Sequence, residues 1–182
     1  MRKRIEINSK IIEIVKGDIT EQFDIEAIVN SANSELSPGA GVSGAIHKKA
    51  GPQLYEYAKK LAPIKVSEAV ITPAFNLPNK YIIHALGPRY GIDKPEDMLL
   101  KKTYQNCIKV AEENRIKSIA FPSISTGIFG YPIKEASIIS INTVIEEISK
   151  TSIELVRFVL FSKEDYEVYE GVVAQKDRAL PS

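Results

Sequence analysis

Ala27-Ile28-Val29-Asn30-Ser31-Ala32-Asn33 and the run behind it, Ser34-Glu35-Leu36-Ser37-Pro38-Gly39-Ala40-Gly41-Val42-Ser43-Gly44, decide the fold. The first stretch is a short apolar run ending in polar residues, the pattern of a buried strand. The second is the clearest loop in the chain, and a helix is predicted from about Ser43. Strand, glycine loop and helix in that order open an α/β unit.

Upstream, residues 4–8 and 11–16 alternate around Ser9-Lys10, a hairpin-length gap, and read as an antiparallel pair. Downstream, a helix is predicted over 51–61 and strands over 68–73 and 80–86. Asp93 with Glu96 three residues on reads as a capping box, followed by a helical stripe of Leu100, Tyr104, Cys107, Ile108 and Ala111. A strand at 117–122 leads into a second glycine loop, 123–131. Pro132 then starts a helix with the stripe Ile138, Ile141, Ile145 and Ile148. A last strand (155–161) and a short helix (163–171) follow. Residues 172–182 carry no pattern and are expected to fray. Strands alternating with helices imply a largely parallel sheet covered on both faces, in one domain over residues 1–171.

Composition narrows the function. The 182 residues carry a formal net charge of +1, so no net field recruits nucleic acid or an anionic membrane. One cysteine and two histidines leave no disulfide framework and little material for a metal centre. No apolar run approaches the roughly 20 residues of a membrane span, and no signal-peptide core follows the N-terminal charges. A cytoplasmic protein without metal or cofactor is the expectation.

In parallel sheets, ligands bind beyond the carboxyl ends of the strands. The unusual residues collect there: Gly17-Asp18, Asn30 to Asn33, and Ser123 to Gly130. Both glycine loops lie just before predicted helices, where free backbone N–H groups and the helix dipole favour anions. Two such loops suit a ligand with two linked phosphates. Neither ends in the Gly-Lys-Ser/Thr of a P-loop, and no G-x-G-x-x-G follows the first strand, so Mg-ATP and ordinary dehydrogenase chemistry are unsupported.

Four motifs, in order, resemble the macro domain family: Gly17-Asp18-Ile19-Thr20; Val29-Asn30-Ser31-Ala32-Asn33; Gly39-Ala40-Gly41-Val42-Ser43-Gly44-Ala45-Ile46-His47; and Phe121-Pro122-Ser123-Ile124-Ser125-Thr126-Gly127-Ile128-Phe129-Gly130-Tyr131-Pro132. The resemblance spans residues 4–171. It implies a three-layer α/β/α sandwich with a mixed, largely parallel central sheet that binds ADP-ribose at the strand ends. Many members hydrolyse ADP-ribosyl esters of Asp/Glu or deacetylate O-acetyl-ADP-ribose; others only bind.

Carried over residue by residue, the resemblance implies that Asp18 accepts from the adenine amino group and that Ile19 adds an apolar wall and a backbone donor. An Asx cap is the plainer role of Asp18, compatible with the first. Asn33 is implied to bind the distal ribose, and Gly39, Gly41 and Val42 to turn backbone donors to the phosphates and ribose. Ser125, Thr126, Gly127, Ile128, Phe129 and Gly130 are implied to wrap the diphosphate. Phe161 falls where the family stacks an aromatic on adenine, although an aromatic at a strand end equally serves a core. Tyr166 is a weaker candidate for that stack. The catalytic set is Asn33, Ser43 and Gly127. His47, His84 and Cys107 read as packed residues.

Two positions depart from the pattern. Ser43 stands where the related hydrolases usually have an aspartate, and a serine cannot serve as a carboxylate base. Activity would then rest on a phosphate oxygen of the ligand positioning the water. Ala40 stands where glycine is usual, which would strain the loop if φ there were positive. The expected function is binding of ADP-ribose or its derivatives, ADP-ribosylated proteins included, with hydrolysis by water. A non-catalytic ADP-ribose reader is the alternative, and RNA binding a weak third.

Overall fold

The computed structural model describes residues 1–180. Strands β1 (Arg2–Ile7), β2 (Lys10–Lys16), β3 (Ala27–Ser31), β4 (Ala69–Pro73), β5 (Tyr81–Ala85), β6 (Ser118–Phe121) and β7 (Leu155–Leu160) form one sheet. Its order is β1-β2-β7-β6-β3-β5-β4. The run from β2 through β7, β6 and β3 to β5 is parallel, and the edge strands β1 and β4 pair antiparallel with β2 and β5. The predicted hairpin is present, turning at Asn8 and Ser9, both at positive φ.

Alternation along the inner strands sorts two cores. Val29, Ile83, Phe121 and Phe158 face one side, where α3 (Glu96–Glu113), α4 (Ile133–Ile148) and α5 (Lys163–Ala179) cover them. Their neighbours Ile28, Ile82, Ala120 and Val159 face the other, against Ile46, Ala50 and Leu54 of α1 (Gly41–Ala50) and α2 (Gln53–Ala58). Both faces being apolar, the strands read as near-continuous hydrophobic runs, and the result is the expected three-layer sandwich.

Three local expectations need correction. The segment expected to fray from residue 172 is helix to Ala179, because Val172 and Val173 continue the buried stripe of Tyr166 and Tyr169. Residues 181 and 182 of that tail lie outside the described residues. The stripe of α4 is Ile141, Val144 and Ile148 with Ala136, Ser137 and Ser140, while Ile138 is exposed and Ile145 only half-buried. Ser137 and Ser140 satisfy their hydroxyls on the Lys134 and Ser137 carbonyls, and so enter the core without penalty. Asp93 does not cap α3, which begins after Pro95. Its carboxylate is taken by the Arg89 backbone N–H at 2.8 Å and guanidinium at 3.0 and 3.1 Å.

Candidate functional site

The parallel strands β2, β7, β6 and β3 all end on one edge of the sheet. The loops leaving them enclose a cleft of two connected cavities, about 240 and 470 Å³. Gly41, Val42, Ser123 and Gly127 line both. The smaller is closed by Asn33, Gly39, Ser43, Ser125 and Phe129; the larger by Asp18, Ile19, Leu160, Phe161 and Asp165. Thus residues from four separate motifs converge on a single groove.

Asp18 follows β2 and does two jobs at once. Its Oδ1 accepts from the Thr20 backbone N–H at 2.8 Å and hydroxyl at 2.6 Å, which is the Asx cap. Burial pushes its carboxyl up, but the two Thr20 hydrogen bonds and Lys49 outweigh that and hold it below the ordinary range. It is therefore an anion at neutral pH, with Oδ2 left over to accept from a ligand.

The first glycine loop enters α1. Gly41 has φ of +58° in open space, where a side chain would be strained. Ala40 has φ of −88° and ψ of 174°, so the feared strain is absent: the extended backbone accepts alanine. Among the described residues no side chain caps α1, leaving its first amides free for an anion. A Cβ at Gly44 would collide with the Gly39 carbonyl oxygen, so the close loop–helix approach depends on that glycine.

The second loop is held by its own backbone: Tyr131 N–H donates to Ser125 O at 2.9 Å and Gly130 N–H to Gly127 O at 3.0 Å. Among the described residues, the amides of Gly127, Ile128 and Phe129 donate to no protein group. Gly127 lines both cavities, as do Gly41 and Val42 at the start of α1. Ile128 is almost fully exposed at the rim of the smaller cavity, and Thr126, which lines the larger, has its Oγ1 bound to the Ser123 carbonyl at 2.9 Å.

The smaller cavity holds the chemistry-bearing set. A Cβ at Gly39 would lie 3.7 Å from both Asn33 Nδ2 and Ser43 Oγ, so both side chains border the glycine. The buried hydroxyls of Ser43 and Ser125 have no hydrogen-bond partner, though both residues line the cavity. Such orphans are rare in a fold's interior and mark places a ligand or water fills. Asn33 is bonded to Ser37, donating to its carbonyl and accepting its N–H, each at 3.1 Å. Among the described residues, no titratable side chain lines this cavity.

Phe161 is 84% exposed at the mouth of the larger cavity, which removes the core reading and leaves its ring face free. Tyr166 is buried in the α5 core and cannot reach a ligand. Asp165 was not singled out from sequence because it carries the signature of a helix cap, its N–H donating to Ser162 Oγ at 3.1 Å. Burial pushes its carboxyl above the ordinary range. Ser31, Ala32 and Ser123 were likewise missed, although all three sit inside the quoted motifs.

His84 lies outside the cleft, fully buried, with Asn30 Nδ2 and Thr72 Oγ1 at 3.0 and 2.9 Å from its ring nitrogens. His47, a residue of α1, is buried, and Cys107 is in the core, where burial raises its thiol pKa. Among the described residues no group of three or more His, Cys, Asp or Glu is placed to hold a metal ion, and no helix is long and apolar enough to cross a membrane.

The family model of the macro domain matches residues 29–140, more than half of the chain. The chain belongs to the macro domain family. This macro domain is 46% identical over 172 residues to the macro domain-containing protein TTE0995 of Caldanaerobacter subterraneus, covering 92% of this chain and 98% of that protein. It is 42% identical over 175 residues to a protein of Enterobacter cloacae named O-acetyl-ADP-ribose deacetylase, covering 93% and 97%. Among solved structures, the Oceanobacillus iheyensis macrodomain with ADP superposes with a TM-score of 0.94 at 36% identity, covering 99% of this chain and 98% of that one. A mutant of the same macrodomain with ADPR gives 0.92 at 37% identity, covering 97% and 98%.

Proposed function

We propose that this macro domain binds ADP-ribose along the cleft and hydrolyses ADP-ribosyl esters of Asp/Glu side chains or O-acetyl-ADP-ribose. Adenine lies in the larger cavity, between Phe161 and Asp18. The diphosphate bridges the junction, where the amides of α1 and of residues 127–129 supply donors without counter-charge. The distal ribose enters the smaller cavity beside Asn33. The likeness to a protein named O-acetyl-ADP-ribose deacetylase and to macrodomains solved with ADP and ADPR supports the reading.

The observation that carries it is that Asn33 and Ser43 both border Gly39 in a cavity whose wall also includes Ser125. Those groups suit a sugar and a water. With no carboxylate there, a phosphate oxygen of the bound ligand is the base at hand: it takes a proton from the water as the water oxygen attacks the ester. The carbonyl carbon–sugar oxygen bond breaks, and the same phosphate oxygen passes its proton to the departing sugar oxygen, giving a carboxylic acid and a ribose hydroxyl. Asn33 orients the ribose, and the free amides of the loops hold the phosphate that orients the water.

The test is incubation with a radiolabelled Asp/Glu-ADP-ribosylated protein and, separately, with O-acetyl-ADP-ribose, in a chelator. Release of label or acetate is expected, unchanged by the chelator. ADP-ribose binding with no release from either substrate would make the protein a reader, the role the absent carboxylate favours.

Ser43→Asp should accelerate single-turnover release by about a hundredfold or less, the low end of general-base assistance or below it because the grafted group is imperfectly placed. Position 43 is the third residue of α1, where the dipole keeps a carboxylate ionised. The same charge faces the diphosphate, so ADP-ribose affinity should fall in calorimetry. Unchanged or slower release would show that the wild-type route lacks no base there.

A further inference from the structure

We propose that Gln22 and Arg157 form a clamp that sets the position of Asp18, making both of them positioning residues for adenine recognition. The inference rests on Asp18 as the acceptor for the adenine amino group. Gln22 Nε2 donates to the Asp18 backbone carbonyl at 2.7 Å, and Arg157 Nη1 donates to Gln22 Oε1 at 3.0 Å. Arg157 is itself fixed: Glu13 Oε1 accepts from it at 3.0 and 3.3 Å, and both oxygens of Asp24 accept at 2.7 Å. The guanidinium hydrogen bond holds the Asp24 carboxyl down at about 2. The Gln22 backbone is tied independently, since Asn79 Nδ2 donates to its carbonyl at 2.8 Å.

Burial makes this more than a surface network. Arg157 is 3% exposed, Glu13 1% and Gln22 8%. A buried ion pair is weak as a source of stability, because desolvation offsets much of the attraction. A planar guanidinium fork, however, fixes direction and distance. Here it joins β2, β7 and the segment after Asp18, and β7 carries Val159 and Leu160 of the cavity wall just before Phe161. Thr20 sets the Asp18 carboxylate relative to its own backbone, and the clamp sets that backbone relative to the wall that holds adenine. Recognition groups need such support, since small errors of placement forfeit a hydrogen bond.

Gln22→Met tests this, because it keeps the volume, removes both amide contacts and leaves Arg157 paired with Glu13 and Asp24. The readout is the affinity ratio of ADP to inosine diphosphate, which replaces the amino group with a carbonyl. The wild type should prefer ADP by about tenfold or more, as befits a hydrogen bond to a charged acceptor. In Gln22→Met that ratio should fall to within about threefold of unity. The lost contacts also lower the thermal midpoint, but lost stability alone would weaken both nucleotides by one common factor and leave the ratio unchanged. Gln22→Glu keeps the Arg157 contact but cannot donate to Asp18, and it should lose the preference as well. A variant that binds both nucleotides more weakly by one common factor, or that keeps the wild-type ratio, overturns the clamp alone. A wild type that binds both nucleotides alike overturns the adenine role of Asp18 and the clamp with it.

Discussion

Asn33→Ala should lower single-turnover hydrolysis of an ADP-ribosyl ester by about a hundredfold or more while leaving ADP affinity almost unchanged. The asymmetry follows from where the side chain lies. Asn33 borders the smaller cavity only, and ADP ends at its β-phosphate and has no distal ribose to place there. Without the amide the ribose can turn, and a misplacement of about 1 Å costs about a hundredfold in an oriented reaction. The substitution also removes the bonds to Ser37, so the loop before Gly39 loses an anchor. Calorimetry with ADP separates the two effects. An equal loss of ADP binding and of hydrolysis would assign Asn33 to loop structure instead of ribose orientation.

The legible parts of this protein were those whose signal is local. Glycine loops between an apolar run and a helix point to the cleft's position with no other information, because backbone donors and φ freedom are set by a few neighbouring residues. The two cores were readable for the same reason: Val29 and Ile28, or Phe158 and Val159, alternate within single strands. What was hidden is non-local or masked. Arg157 is one charge in an apolar strand, and its partners Glu13, Gln22 and Asp24 are more than 130 residues away in sequence. Asp165 has a sufficient local explanation as an acidic residue in the first turn of α5, behind the Ser162 cap, which conceals its place in the cavity. The final turns of α5 have a polar outer face that hides Val172 and Val173. At Ala40 the residue type suggested strain, yet the backbone angle that decides the matter appears only in three dimensions.

Acid should unfold this protein through His84. Burial, with the neighbouring His47 adding to it, depresses the His84 pKa from 6.5 to about 3. Below pH 6.5 the unfolded chain therefore takes up a proton that the folded chain refuses until about pH 3. Stability from this group is complete above pH 6.5 and declines by roughly 1.4 kcal/mol per pH unit through the window. The geometry explains the refusal. As placed, Asn30 Nδ2 donates to Nδ1, while Nε2–H donates to Thr72 Oγ1, whose hydroxyl donates onward to the Pro73 carbonyl. A second ring proton would put a charge in the middle of the sheet, away from solvent. Denaturant melts at pH 7, 6, 5 and 4 should show stability falling steadily for the wild type. His84→Gln should start lower at pH 7 and lose less on acidification, since glutamine does not titrate. Parallel slopes for the two proteins would place the acid sensitivity elsewhere.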